Sequence, residues 1–127
     1  MEKKIIFTEK APAPIGPYNQ AILIDNTLYM SGQIALDPAT MHLVLHSVEN
    51  ETTQVMKNLE AVLEAAGMTF ENVVKSTIFL TDMEDFAKVN TIYGSYFDEK
   101  TAPARETVQV SALPKSVNVE ISMIAIK

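Results

Sequence analysis

The chain has 127 residues, 47% of them hydrophobic and 20% charged, which suits one domain over 1–127 with a core that needs no staples. It contains no cysteine, so disulfides, thiolate metal sites and cysteine nucleophiles are excluded. Ten Lys and Arg against sixteen Asp and Glu leave a net charge of −6, with only Lys3 and Lys4 adjacent, so nucleic acid is not an expected partner.

Residues 1–7 lack the long apolar run of a secretory signal, and no later stretch is long enough to span a bilayer. The expected setting is cytoplasmic, without membrane contact. A short first strand is expected over 5–8, followed by the proline-rich segment Lys10-Ala11-Pro12-Ala13-Pro14-Ile15-Gly16-Pro17. Prolines cannot donate to a sheet ladder, so this reads as ordered irregular chain. Residues 21–24 and 28–32 form two β-prone runs around Asp25-Asn26-Thr27, a hairpin pattern. Asp37-Pro38 marks a turn, and 42–46 reads as a short extended piece.

From about Val48 the period changes. Val55, Leu59, Val62, Leu63 and Ala66 fall on one helical face over 48–66, and Gly67 suits the position just past the helix end. Glu49, Glu51, Lys57, Glu60 and Glu64 are placed off that face. Residues 73–80 are β-branched and read as a strand. Thr81-Asp82-Met83-Glu84 has the capping-box pattern and precedes a helix with Phe86, Val89, Tyr93 and Phe97 as its apolar face. Strands over 105–111 and 117–126 close the chain. The order is strand, hairpin, helix, strand, helix, strand, strand, which predicts an α+β sheet with two helices on one face. The tail of the last strand, residues 121–126, is apolar on both faces, so a partner subunit is the expected cover for the other.

Arg105 is the only arginine, at a turn-to-strand junction. Its planar fork of donors fits a carboxylate bidentately. Either it clamps a small anion, or it forms an ion pair with Glu106, with Glu120 or across a subunit contact. Glu120 is the one charged side chain within an otherwise apolar final strand, and a carboxylate there is paired, faces water, or works on a water molecule. Tyr18 follows Gly16-Pro17 at a loop end that could face a cleft. Ser31-Gly32-Gln33 ends the hairpin, where a glycine permits close backbone approach. Asn90 interrupts an apolar helix face and needs a partner if buried. His42 and His46 lack further closely spaced metal ligands. No nucleophile elbow, phosphate loop or dinucleotide fingerprint occurs.

Nearly the whole chain resembles the RidA (YjgF/YER057c/UK114) family. The matching pieces are Ala13-Pro14-Ile15-Gly16-Pro17-Tyr18, Leu28-Tyr29-Met30-Ser31-Gly32-Gln33, Asn58-Leu59 with Leu63-Glu64-Ala65-Ala66-Gly67, Val74-Lys75-Ser76-Thr77, Leu80-Thr81-Asp82-Met83, Phe86-Ala87-Lys88-Val89-Asn90, Pro103-Ala104-Arg105, Leu113-Pro114-Lys115 and Val119-Glu120-Ile121. The resemblance implies a chorismate-mutase-like subunit, a variant of the ferredoxin-like sheet, assembling as a homotrimer with sites between subunits. It implies an enamine/imine deaminase that hydrolyses small 2-imino acids to 2-keto acids and ammonia, with no cofactor and no metal. Arg105 would bind the substrate carboxylate with help from the backbone N–H of Thr107. Glu120 would position and activate water, Tyr18 would line the pocket near the imine, and Ser31 and Gly32 would shape its polar wall. Asn90 matches a position near the site.

Two departures stand out. Many members have Cys where this chain has Thr107, and many have glycines where it reads Thr40-Met41-His42-Leu43-Val44-Leu45-His46-Ser47. The second implies a different loop and different pocket access. The alternative to catalysis is a sensor of 2-keto acids or a regulatory partner of a metabolic enzyme, because the same pocket would serve. Ribonuclease activity, attached to some relatives, fits the acidic composition poorly.

Overall fold

The computed structural model describes residues 2–127. Six strands form one sheet: Lys3–Ile6 (β1), Ala21–Ile24 (β2), Thr27–Met30 (β3), Val73–Leu80 (β4), Ala104–Gln109 (β5) and Val119–Ile126 (β6). Their spatial order is β1-β2-β3-β6-β4-β5, antiparallel throughout except for the parallel pair β4–β5. Two helices, Val48–Ala65 (α1) and Phe86–Gly94 (α2), complete the expected element order.

Helix α1 forms where the apolar spacing places it. Ser47 caps it by accepting from the Asn50 N–H at 3.0 Å. At the other end Gly67 turns left-handed (φ +71°), Gly67 N–H donates to Glu64 and Met68 N–H to Leu63, which satisfy those two late carbonyls. Val55, Met56, Leu59, Val62 and Leu63 are fully buried. Each such side chain contributes roughly 1.5–3 kcal/mol by leaving water. They pack on Leu28, Ile78, Leu80, Val119, Ile121, Met123 and Ala125, the alternate residues of the central strands.

Four expectations are corrected. The first strand covers Lys3–Ile6 instead of 5–8, because the side chain of Gln20 takes over the backbone at Thr8. Gln20 accepts from Thr8 N–H (2.7 Å) and donates to the carbonyls of Thr8, Ala11 and Pro12. It thereby serves a segment whose prolines cannot pair with a strand. Before α2 the cap is Asp82, not Thr81, with Asp82 accepting from Glu84 N–H at 2.9 Å. Helix α2 ends at Gly94, so Phe97 lies beyond it. Glu51 is not on the solvent side of α1: it is fully buried. It lies four residues before Val55, on the same helical face.

Among the described residues, the second face of the sheet carries no helix. Ile5, Ile22, Tyr29, Ile124 and Lys75 align across it in register. Ile5, Tyr29 and Val108 are exposed there at 46%, 50% and 41%.

Candidate functional site: two half-sites on opposite faces of one sheet

The first half is built around β6. Gln33 and Ile121 exchange backbone hydrogen bonds at 2.8 and 3.2 Å just beyond the end of β3. This draws Gly32 alongside Glu120. A Cβ on Gly32 would stand 2.6 Å from Glu120 Oε2, so any larger residue would displace the carboxylate. Glu120 is half-buried and has no hydrogen bond or ion pair among the described residues. Burial pushes its proton affinity above the usual carboxylate range.

Around it opens a cleft of about 460 Å³, lined by Tyr18, Gln20, Ser31, Gly32, Gln33, Ile34, Leu36, Pro114, Lys115, Glu120 and the proline segment at Pro12, Ala13 and Ile15. Tyr18 therefore does face a cleft, with its hydroxyl accepting from Ile15 N–H at 3.2 Å. Ser31 is at the wall, but its hydroxyl is committed to the Asn19 carbonyl at 2.5 Å. Residues 40–47 do not line this cleft. Instead Leu43 bridges back to Leu36, and Val44 N–H donates to Ala35.

The second half lies at the β5 edge. Arg105 Nη1 donates to Asn90 Oδ1 at 2.6 Å, and its guanidinium rests 5.1 Å from the Tyr93 ring centroid and 5.7 Å from that of Phe86. Burial raises the pKa of the Tyr93 phenol. That phenol donates to Ser76 Oγ at 2.9 Å, which fixes the ring beneath the arginine. Among the described residues, the ion pairs considered for Arg105 with Glu106 and Glu120 do not form. Glu106 points to the other face and pairs with Lys75 at 2.8 Å, also accepting from Thr77. Hydrogen bonds from Lys75 and Thr77 lower its pKa. Asn90 is a brace for Arg105 and not a free pocket group. Thr107 lies two residues along the same strand, with a buried Oγ1 that has no partner among the described residues.

The pleat separates the halves. Arg105 is paired with Ser76, whereas Glu120 is paired with Phe79, three positions along β4. Successive side chains alternate faces and cross-strand partners share one. Arg105 therefore lies on the helix face with Ser76 and Met123, and Glu120 on the open face with Phe79 and Val108. Of the residues named from sequence, Tyr18, Ser31, Gly32 and Glu120 come together; Arg105, Asn90 and Thr107 form a separate group.

Sequence reasoning overlooked Gln20, Glu51, Phe86 and Tyr93 as supports, and Lys115 as a cleft residue. The helical spacing of Glu51 relative to Val55 and Leu59 was the available signal. For Gln20 there was none, since its partners are carbonyls 8 to 12 residues away.

Residues 8–127 match the family model described as Endoribonuclease L-PSP, the YjgF/RidA family. The chain belongs to the RidA family. Among its relatives, the mouse protein named 2-iminobutanoate/2-iminopropanoate deaminase is 51% identical, over 98% of this chain and 92% of that protein. Among solved structures, a Rid family protein of unknown function from Yersinia pestis superposes with a TM-score of 0.96 at 49% identity, covering 99% of this chain and 100% of that one. Escherichia coli TdcF, solved with bound serine, gives a TM-score of 0.92 at 40% identity and 98% coverage of both chains. The RidA fold is thus a mixed α+β sheet of six strands with two helices, as found here.

Proposed function

We propose that this RidA family protein hydrolyses small 2-imino acids to 2-keto acids and ammonia, in sites assembled from the Arg105 half of one subunit and the Glu120 half of another. The observation that carries this reading is Glu120, an unpaired carboxylate of raised proton affinity facing an open cleft. Support comes from the mouse relative's name and from the amino acid bound in the Escherichia coli relative. Since β4 stands between Arg105 and Glu120 within one chain, a shared substrate requires a second copy. The open face, with Ile5, Tyr29 and Val108 exposed on it, offers a surface for it, and the assembly proposed is the homotrimer.

In the proposed reaction Arg105, held by Asn90 and its two aromatic neighbours, fixes the substrate carboxylate bidentately. A water beside Glu120 adds to the C=N carbon, and Glu120 accepts its proton as the C–O bond forms. Collapse of the carbinolamine forms C=O and breaks C–N. Glu120 hands the water proton to the nitrogen as the carbinolamine forms, takes up the hydroxyl proton as it collapses and passes that proton to the leaving nitrogen, so ammonia departs and Glu120 is ionised again. Water is consumed, and no electrons are gained or lost. Tyr18 and Gly32 line the position of the reacting carbon.

The deciding measurement is keto-acid formation from 2-iminopropanoate and 2-iminobutanoate, generated in situ by a dehydratase, with Arg105→Ala as control. Acceleration by the wild type and its loss in the variant are expected. Binding of 2-keto acids without acceleration would instead mark a sensor. The endoribonuclease wording of the family model finds little support in a chain of net charge −6.

A further inference from the structure

Glu51 is in the first turn of α1 and has no solvent contact. No cation pairs with it among the described residues. Its partners are Asn118 N–H at 2.7 Å, the Asn118 side-chain amide at 2.8 Å and Val119 N–H at 2.9 Å. Removing a carboxylate from water without a counter-charge is costly, and three short hydrogen bonds to the charged form offset that cost. All three donors belong to the two residues immediately before Glu120.

The segment they anchor is strained. Lys115 and Ser116 are both left-handed, with φ of 57° and 58°, and neither is glycine. Two consecutive residues in that region relax unless their surroundings hold them. The segment also makes one wall of the cleft through Pro114 and Lys115. Its far end is fixed from behind the sheet by Glu51, and Glu120 follows directly on the open face.

We propose that Glu51 is a positioning residue: by gripping Asn118 and Val119 it holds the strained 115–119 segment so that Glu120 stands over Gly32, free of any partner. The activity consequence rests on the hydrolytic reading above; the geometric claim does not. The grip acts only on the Glu120 half and leaves the Arg105 half untouched. A change at Glu51 should therefore slow turnover without weakening the hold on a carboxylate.

The test compares wild type, Glu51→Gln and Asn118→Ala, with kcat counted per site that binds 2-ketobutyrate. Gln keeps the shape but has one acceptor oxygen; with that oxygen on the two backbone N–H groups that share Glu51 Oε2, its NH2 is set against the Asn118 side-chain amide. We expect kcat to fall about 10-fold or more in Glu51→Gln and about 3-fold in Asn118→Ala, with ketobutyrate Kd within about twofold of wild type. A lowered Tm with wild-type kcat per binding site in both variants would reduce Glu51 to a structural role. If Glu51→Gln does not fold, Asn118→Ala, which leaves both backbone bonds, decides alone.

A readout independent of catalysis is the 13C-carboxyl titration of Glu120, whose cleft it shares with the titratable Tyr18 and Lys115. In Asn118→Ala, where no charge changes, its midpoint should move toward the ordinary carboxylate range as the wall loosens. An unmoved midpoint there would overturn the positioning claim. Absence of imine hydrolysis by the wild type would overturn the proposed activity and leave this titration to decide the grip.

Discussion

The two half-sites are built on opposite plans. At the β5 edge the working charge is tied down: Arg105 has a hydrogen-bond brace in Asn90 and two aromatic rings beside it, one anchored through Ser76. In the cleft the charge is left untied, and everything near Glu120 is anchored instead: Ser31 to Asn19, Gln20 to the proline segment, Asn118 and Val119 to Glu51. A group that binds by shape gains from being fixed in advance. A group that must exchange protons with water gains from an unsaturated carboxylate in a firm frame. Under the proposed function the contrast separates recognition from proton transfer.

The sharpest way to break this division is at Arg105. Arg105→Ala should lower kcat/KM by about 1000-fold and abolish 2-keto acid binding, and Arg105→Lys should recover little, because a point charge does not reproduce the fork. Near-wild-type keto-acid release by the lysine variant in the coupled assay would remove the clamp. On the other side, Glu120→Gln should reduce kcat by about 100-fold while 2-keto acid binding persists in calorimetry.

Mixing tests whether the halves come from different chains. Arg105→Ala and Glu120→Gln proteins, each inactive, should on co-refolding at equal amounts regain about a quarter of wild-type activity, since one site in four pairs an intact Arg105 with an intact Glu120. No recovery in verified mixed oligomers would place both residues in one chain's site. A smaller effect is expected at Gly32. The atoms nearest the added Cβ of Gly32→Ala all belong to the flexible side chain of Glu120. Tm should change little while kcat falls about 10-fold, read by melting and initial rates.

The last prediction concerns pH. Burial raises the pKa of Glu120, and the proposed base is its ionised form, so the acid limb of kcat should lie above the ordinary carboxylate range. The same shift has a stability consequence of defined sign. The folded chain binds this proton more tightly than the unfolded chain, so the contribution is fully present below the unfolded pKa and is lost as pH rises through the folded one. Glu120→Gln should thus melt no lower than wild type at neutral pH, and the difference should vanish in acid.

Much of this was legible in the chain. The period of Val55, Leu59, Val62 and Leu63 marks α1, Gly67 marks its end, and the alternation from Val119 onward marks β6. Arg105 stood out as the only arginine, and Glu120 as the one charge in an otherwise apolar final strand. Their separation did not, because it depends on β4 lying between β5 and β6 and on pairing at Ser76 and Phe79, a long-range register that no local pattern encodes. Glu51 was misplaced because its charge outweighed its spacing; its three donors lie 67 and 68 residues away.

That odd offset along β4 also bears on how such a chain can change its length. A residue gained or lost between Ser76 and Ile78 would turn Ile78 and Leu80 out of the core and break the register that β4 keeps with both neighbours. Strand edits in this stretch are therefore tolerable only in twos. The chain already holds one odd insertion: between Val73 and Lys75 the register with β6 shifts, and Val74 bulges outward at 44% exposure. It lies beyond Ser76, on the side away from Glu120, where the extra residue is absorbed without reversing either half-site.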